Sequence, residues 1–60
     1  MNIAAVSFHS AAAKIAFVKD ALSTPSAIID ESDTCLVLDS DRAAHDLELA
    51  RNSPHVYQIR

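Results

Sequence analysis

Four strand-like segments and two helix-like segments share 60 residues, and their order constrains the fold more than any single motif. Apolar runs with β-branched or aromatic members, typical of strands, occupy 2–8, 27–29, 35–38 and 55–60. Helix-like patterns occupy 10–23 and 41–52, and each ends before a proline, which cannot continue a helix. The resulting order, β-α-β-β-α-β, predicts the split βαβ arrangement known as ferredoxin-like.

This arrangement is an α+β domain in which one antiparallel four-stranded sheet, in the order 4-1-3-2, carries both helices on one face. The first and third strands are the most apolar and are expected at the centre, whereas charges mark the other two as edges. We expect residues 1–60 to form a single domain. The alternative is an open β-α-β-α-β unit in which residues 26–33 form a loop.

The first helix-like segment begins after Ser10, whose side chain suits an N-cap. Its apolar positions predict a buried stripe made of Ala11, Ile15, Val18 and Leu22. At about 100° per residue, Phe17 falls on the opposite face of the helix.

The outward residues of the two helices predict an apolar partner-binding strip. Phe17 shares its face with Ala13 and Ala21, and Leu49 lies off the stripe of the second helix, which is Ala43, Leu47 and Ala50. A flat apolar strip of this kind marks interfaces. The alternative is that the first helix is rotated and Phe17 packs between the helices.

Composition excludes several classes of site and favours one compartment. The chain has no glycine, which excludes a phosphate-binding glycine-rich loop, a dinucleotide fingerprint and a nucleophile elbow. Its single cysteine, Cys35, excludes an internal disulfide and favours a reducing, cytoplasmic location. The net charge of −3 argues against direct binding to nucleic acid. No apolar run is long enough for a membrane span, and no signal peptide is expected.

Two aspartates one residue apart, Asp39 and Asp41, follow the third strand. Residues 37–47 resemble the strand ends of toprim domains, haloacid-dehalogenase phosphatases and receiver domains, where such a pair binds a metal. The glutamate–glycine pair of the first family is missing, as are the glycine and threonine of the second and the further aspartate and lysine of the third. The sequence favours a structural role, in which Asp39 or Ser40 caps the second helix and Asp41 lies in its positively polarised first turn.

A second possible metal site arises when the chain is threaded onto the fold. His9, His55 and Asp33 are then expected at the same end of the sheet, and two imidazoles with a carboxylate can bind Zn²⁺. Together with Asp39 and Asp41, these weak candidates support the hypothesis of a divalent-metal-dependent enzyme or metal sensor. The alternative is that these are surface histidines without a ligand role, and no cofactor is expected.

The leading hypothesis is a non-enzymatic protein-binding module that acts as a regulator or inhibitor, of the phage or mobile-element accessory type. An acidic docking surface, which would let it compete with nucleic acid for a basic partner, is predicted at Asp30, Glu31, Asp33 and Asp46. The second face of the sheet, opposite the helices, also needs another protein surface to cover it. A homodimer or a hetero-complex with another protein would supply it, without direct contact to nucleic acid or membrane.

Overall fold

Strand β1 (Ile3–Phe8) lies inside a four-stranded antiparallel sheet, between β3 (Cys35–Asp39) and β4 (Val56–Ile59). The computed structural model describes residues 2–60. Strand β2 (Ile28–Glu31) pairs with β3 at one edge, which gives the sheet order β2-β3-β1-β4. Helix α1 (Ala11–Asp20) follows β1, and helix α2 (Ala44–Arg51) follows β3. The predicted α+β fold, strand order and central strands are confirmed, and the open β-α-β-α-β alternative is excluded.

One face of the sheet is buried under the two helices. Alternate residues of a strand point to opposite faces, so Val6, Leu36 and Leu38 all point the same way. These three side chains are fully buried, and each contributes about 1.5–3 kcal/mol to folding. The buried residues complete the core as one cluster across sheet and helices: Ala4, Phe8, Phe17, Ala27, Ala43, Leu47 and Ala50. Among residues 2–60, no helix lies on the opposite face of the sheet.

Helix α1 turns a different face to the sheet than its apolar pattern predicts. Phe17 is 1% exposed, and its ring lies 5.5 Å from that of Phe8, whereas Ile15 is 62% exposed. Ala13 and Ala21 are half-buried against the same core. The predicted outward orientation of these residues is therefore wrong. Helix α1 is rotated, as in the alternative, but the ring of Phe17 contacts Phe8 of the sheet. Apolar residues lie on every side of α1, so their spacing does not determine which face of the helix is buried. The face is determined by burial of Phe17, the largest side chain of the helix.

The predicted stripe of α1 is only partly buried as a result. Val18 and Leu22 pack at the margin of the core, whereas Ala11 and Ile15 are exposed. The predicted N-cap of the helix is confirmed, because the Ser10 hydroxyl accepts a hydrogen bond from the backbone N–H of Ala13 at 3.1 Å.

Helix α2 has the buried stripe that the sequence predicts but begins later. Ala43, Leu47 and Ala50 are buried, and Leu49 is 37% exposed. The segment 40–43 is a turn, and α2 starts at Ala44. Within residues 2–60 neither helix is long and apolar enough to cross a membrane.

Candidate functional site

A shallow, open groove of about 430 Å³ lies between helix α1 and edge strand β2. It is lined by Lys14, Ile15, Val18, Lys19 and Glu31. Ile15 lies at the rim because Phe17, about 200° away around α1, points into the core. The same rotation of α1 that removes the predicted Phe17 strip therefore creates an apolar groove at a new place.

A partly buried ion pair forms one wall of this groove. The Nζ of Lys14 donates hydrogen bonds to Glu31 Oε2 and to the backbone carbonyl oxygen of Ser32, both at 2.7 Å. The lysine side chain is 10% exposed and that of Glu31 is 48% exposed. Buried charges are tolerated when they are paired and hydrogen-bonded, so Lys14 joins α1 to the β2–β3 hairpin. Lys19 is exposed and forms no ion pair within residues 2–60.

Asp46 is fully buried and does not belong to a docking surface, so its predicted place there is wrong. Its Oδ1 accepts hydrogen bonds from the backbone N–H (2.9 Å) and hydroxyl (2.7 Å) of Ser23, and its Oδ2 accepts one from Thr24 N–H at 2.9 Å. Burial by itself raises the pKa of Asp46, but the hydrogen bonds from Ser23 and Thr24 together lower this pKa below its usual value. The carboxylate therefore fastens α2 to the connection between α1 and β2.

The other predicted acids differ in availability. Asp30 and Asp33 are exposed, in β2 and in the turn after it. Glu31 is paired with Lys14, which satisfies part of its charge within the chain. Of the four predicted docking acids, only Asp30 and Asp33 are both exposed and outside the ion pairs of residues 2–60.

Of the aspartate pair after β3, Asp39 stabilises a turn, and Asp41 lies within this turn and not in the first turn of α2, where the sequence predicts it. Asp39 Oδ1 accepts hydrogen bonds from the backbone N–H groups of Asp41 and Arg42, at 3.1 and 3.3 Å. Asp41 is exposed, and Asn2 Nδ2 lies 3.4 Å from its Oδ1. Asp39 thus caps the turn before α2 and not the first turn of the helix itself, where Ala43 is the N-cap residue.

The two predicted histidine ligands, His9 and His55, are neighbours in the fold. The backbone N–H of His9 donates to the carbonyl oxygen of His55 at 3.2 Å. The imidazole of His9 lies edge-on against the ring of Tyr57, with 5.5 Å between centroids. Within residues 2–60, no group of three or more His, Cys, Asp and Glu side chains could hold a metal ion. His9, His55 and Asp33 do lie at the same end of the sheet, as predicted, because the end of β1 meets the starts of β3 and β4 there, but they do not form a group that could hold a metal ion.

The uncovered face of the sheet is the second candidate surface. Ala5, Ser7, Cys35 and Val37 alternate with the buried positions of the two central strands, and all four are half-buried. Ile3, at the start of β1, is 60% exposed on the same face. The centre of this face consists of small or apolar side chains, and Asp39 lies at one end of it, opposite Ile3.

Sequence reasoning missed the groove residues Lys14, Ile15 and Lys19. The sequence does contain an indication for Lys14, which lies between apolar residues in a helical segment. If such a lysine is buried, its ammonium group needs a nearby hydrogen-bond acceptor. Nothing in the periodicity of α1 identifies Ile15 as the exposed residue, since Phe17 and Ile15 compete for the same burial.

Comparisons with known proteins identify no further functional residues. No protein-family model, curated protein or solved structure matches the chain. Function is therefore inferred from the surfaces of the chain itself.

Proposed function

We propose that this protein is a non-enzymatic binding module that regulates or inhibits a partner protein by occupying part of its surface. The observation that carries this proposal is the 62% exposure of Ile15 beside the groove between α1 and β2. The compartment proposed is the cytoplasm, where the free thiol of Cys35 is kept reduced.

Core packing and an ion pair fix the helix that forms the groove, and a preformed surface favours binding. Phe17 fixes α1 against the sheet, and Lys14 joins the same helix to Glu31 and Ser32. A preorganised surface loses little conformational entropy when a partner binds. We expect the partner to place an apolar side chain against Ile15 and Val18, with polar groups near Lys19 at the rim.

The acidic form of the proposal concerns the charge of the partner. In this form the partner is basic and otherwise binds nucleic acid, so the module competes for the same surface. Its support is the net charge of −3 and the exposed carboxylate of Asp33, two residues after the groove residue Glu31. Asp30 is exposed too, but its side chain lies on the face of the sheet away from the groove. Asp46 takes no part because it is buried.

Affinity capture with matched variants tests the proposal. Immobilised wild-type protein, Ile15→Asp and the control Ala44→Asp are exposed to extract from the host cell, and bound proteins are quantified. Ala44 is exposed at the start of α2, where an added carboxylate suits the helix dipole. We expect a protein that binds the wild type and Ala44→Asp equally and binds Ile15→Asp at least about tenfold less, as for an interface hot spot.

Two further outcomes are informative in the same experiment. Equal capture by Ile15→Asp and wild type, with both variants folded by circular dichroism, would contradict the groove as the binding surface. Release of the captured protein by added DNA, together with weaker capture by Asp33→Asn, is the result expected for the acidic form. No release by DNA would contradict that form alone.

A further inference from the structure

We propose that the uncovered face of the sheet is a homodimer interface, in which two copies stack face to face about a two-fold axis parallel to the strands. The proposal concerns a surface separate from the groove and does not depend on the proposed function. It rests on the register of the strands and on the charges that this register places at the two edges of the face.

Four residues form one row across this face. Asp30 pairs with Val37, Val37 pairs with Ala5, and Ala5 exchanges two backbone hydrogen bonds with Arg60, at 3.0 and 2.9 Å. Residues directly opposite each other in antiparallel strands direct their side chains to the same face. The row lies away from the helices, because the flanking residues Val6, Leu36 and Leu38 are the buried ones. Its order is acid, apolar, apolar, base.

This order is complementary to itself in one orientation. A two-fold axis parallel to the strands reverses the row, so Asp30 of each copy faces Arg60 of the other, and Val37 faces Ala5. A two-fold axis across the strands would place Asp30 opposite Asp30 and Arg60 opposite Arg60. Both orientations are aligned packings of two sheets, but like charges in contact are unfavourable, so charge selects the first orientation.

The neighbouring row is compatible with the same orientation. Ser7 pairs with Cys35 on one side and with Gln58 on the other. The row carries no charge, and Ser7 and Cys35 are small and half-buried. Small side chains let two sheets approach closely, so this row adds contact area without opposing the charge pairing.

Both charges of the first row are free to pair with a second copy. The ion pairs within residues 2–60 are Lys14–Glu31 and Arg51–Glu48, and neither includes Asp30 or Arg60. Asp30 Oδ1 accepts a hydrogen bond from the backbone N–H of Glu31 at 2.9 Å, which holds the carboxylate near the strand.

The size of the face sets the expected strength of the dimer. Four strands spaced by about 4.8 Å, each roughly 15–20 Å long, present on the order of 300 Å² per copy. A standard stable interface buries about 800 Å² per partner, so the dimer is expected to be weak and to dissociate in the micromolar range or above. The two Asp30–Arg60 ion pairs between the copies are then important for binding, so added salt should weaken the dimer.

Sedimentation equilibrium of the full chain at low salt, from about 10 µM to about 1 mM, measures this association. We expect wild type to dimerise as its concentration rises. Asp30→Arg and Arg60→Asp each place like charges opposite each other, so each should raise the dissociation constant at least about tenfold. An equimolar mixture of these two variants should restore a dimer, because every facing pair is then of opposite charge.

Asp20→Arg serves as the matched control, because Asp20 is exposed at the end of α1 and the substitution makes the same change in net charge. We expect it to dimerise like wild type. A wild-type monomer at about 1 mM would overturn the proposal. So would equal dimerisation of the single variants and wild type, a mixture that stays monomeric, or an Asp20→Arg effect as large as that of Asp30→Arg.

Discussion

Asp46 on helix α2 accepts two hydrogen bonds from Ser23, which lies 23 residues earlier in the chain, one from its backbone N–H and one from its hydroxyl. The contact joins the second helix to the segment that leaves the first one. Because Asp46 is fully buried, its carboxylate is satisfied by these hydrogen bonds and the one from Thr24 in place of bulk water. This one side chain therefore affects the position of both helices.

Asp46→Asn tests this role at neutral pH. The amide keeps one acceptor oxygen but places an N–H₂ donor against a backbone donor, so one buried group loses its partner. We expect a loss of about 1–3 kcal/mol in the free energy of unfolding, measured by urea denaturation. Glu48→Gln is the control, because the exposed Glu48–Arg51 pair is worth about 0–1 kcal/mol.

The pH dependence of stability follows from the same carboxylate. The pKa of Asp46 is lower in the folded protein than in the unfolded chain, so the unfolded chain binds the proton more readily. This contribution to stability is complete above the unfolded pKa of about 3.9 and is lost as pH falls through the folded pKa. Urea denaturation at a series of pH values below about 5 should show a smaller acid-induced loss in Asp46→Asn than in wild type. Parallel curves for the two proteins would contradict this role.

Truncation of Phe17 should reduce the stability of the protein strongly, whereas truncation of Ile15 should hardly change it. Phe17→Ala opens a cavity in the core and should cost about 3–5 kcal/mol, enough to unfold much of a small domain. Phe17→Leu is a milder variant that should stay folded with reduced stability. Ile15→Ala removes an exposed side chain and should change stability by no more than about 0.5 kcal/mol. Thermal unfolding followed by circular dichroism distinguishes this from the outward Phe17 that the sequence pattern predicts, for which the two effects would be reversed.

The Lys14–Glu31 pair should be more sensitive to loss of the acid than of the base. Glu31→Ala leaves the buried ammonium with one acceptor, the Ser32 carbonyl, and should cost about 1–3 kcal/mol. Lys14→Met keeps the apolar part of the side chain and leaves a half-exposed carboxylate that water can solvate, so the loss should be smaller. Urea denaturation of both variants measures the order, and a larger loss in Lys14→Met would contradict this account.

Divalent metals should not stabilise the protein. Within residues 2–60 the candidate ligands His9, His55 and Asp33 do not form a metal-holding group, and Asp39 is already hydrogen-bonded to the turn that follows it. Binding to the folded state would raise the melting temperature by mass action. We expect no shift in melting temperature with Mg²⁺ or Zn²⁺ at about 1 mM, measured by differential scanning fluorimetry. A shift of several degrees that His9→Ala removes would revive the metal hypothesis.

The sheet could be predicted because each of its strands has a recognisable pattern in the local sequence. The apolar runs that became β1 and β3 needed burial on one face, and the prolines at positions 25 and 54 interrupted the helices between them. The Ser10 cap and the stripe of α2 are also local patterns, and both are confirmed. The groove could not be predicted in this way, because its walls come from α1 and β2, whose contact depends on how α1 is rotated.

The sequence by itself determined the order of the elements, the topology and the buried stripe of α2, because periodicity and turn residues act over a few neighbouring positions. Only the tertiary structure decided that Phe17 is buried and Ile15 exposed, that Asp46 bonds to Ser23, and that Asp30 shares a row with Arg60. These relationships join residues distant in the chain, and they depend on which side chains can be buried and paired at the same time. Local sequence patterns do not show which side chains will be buried together, because this is decided only when the sheet and both helices pack against each other.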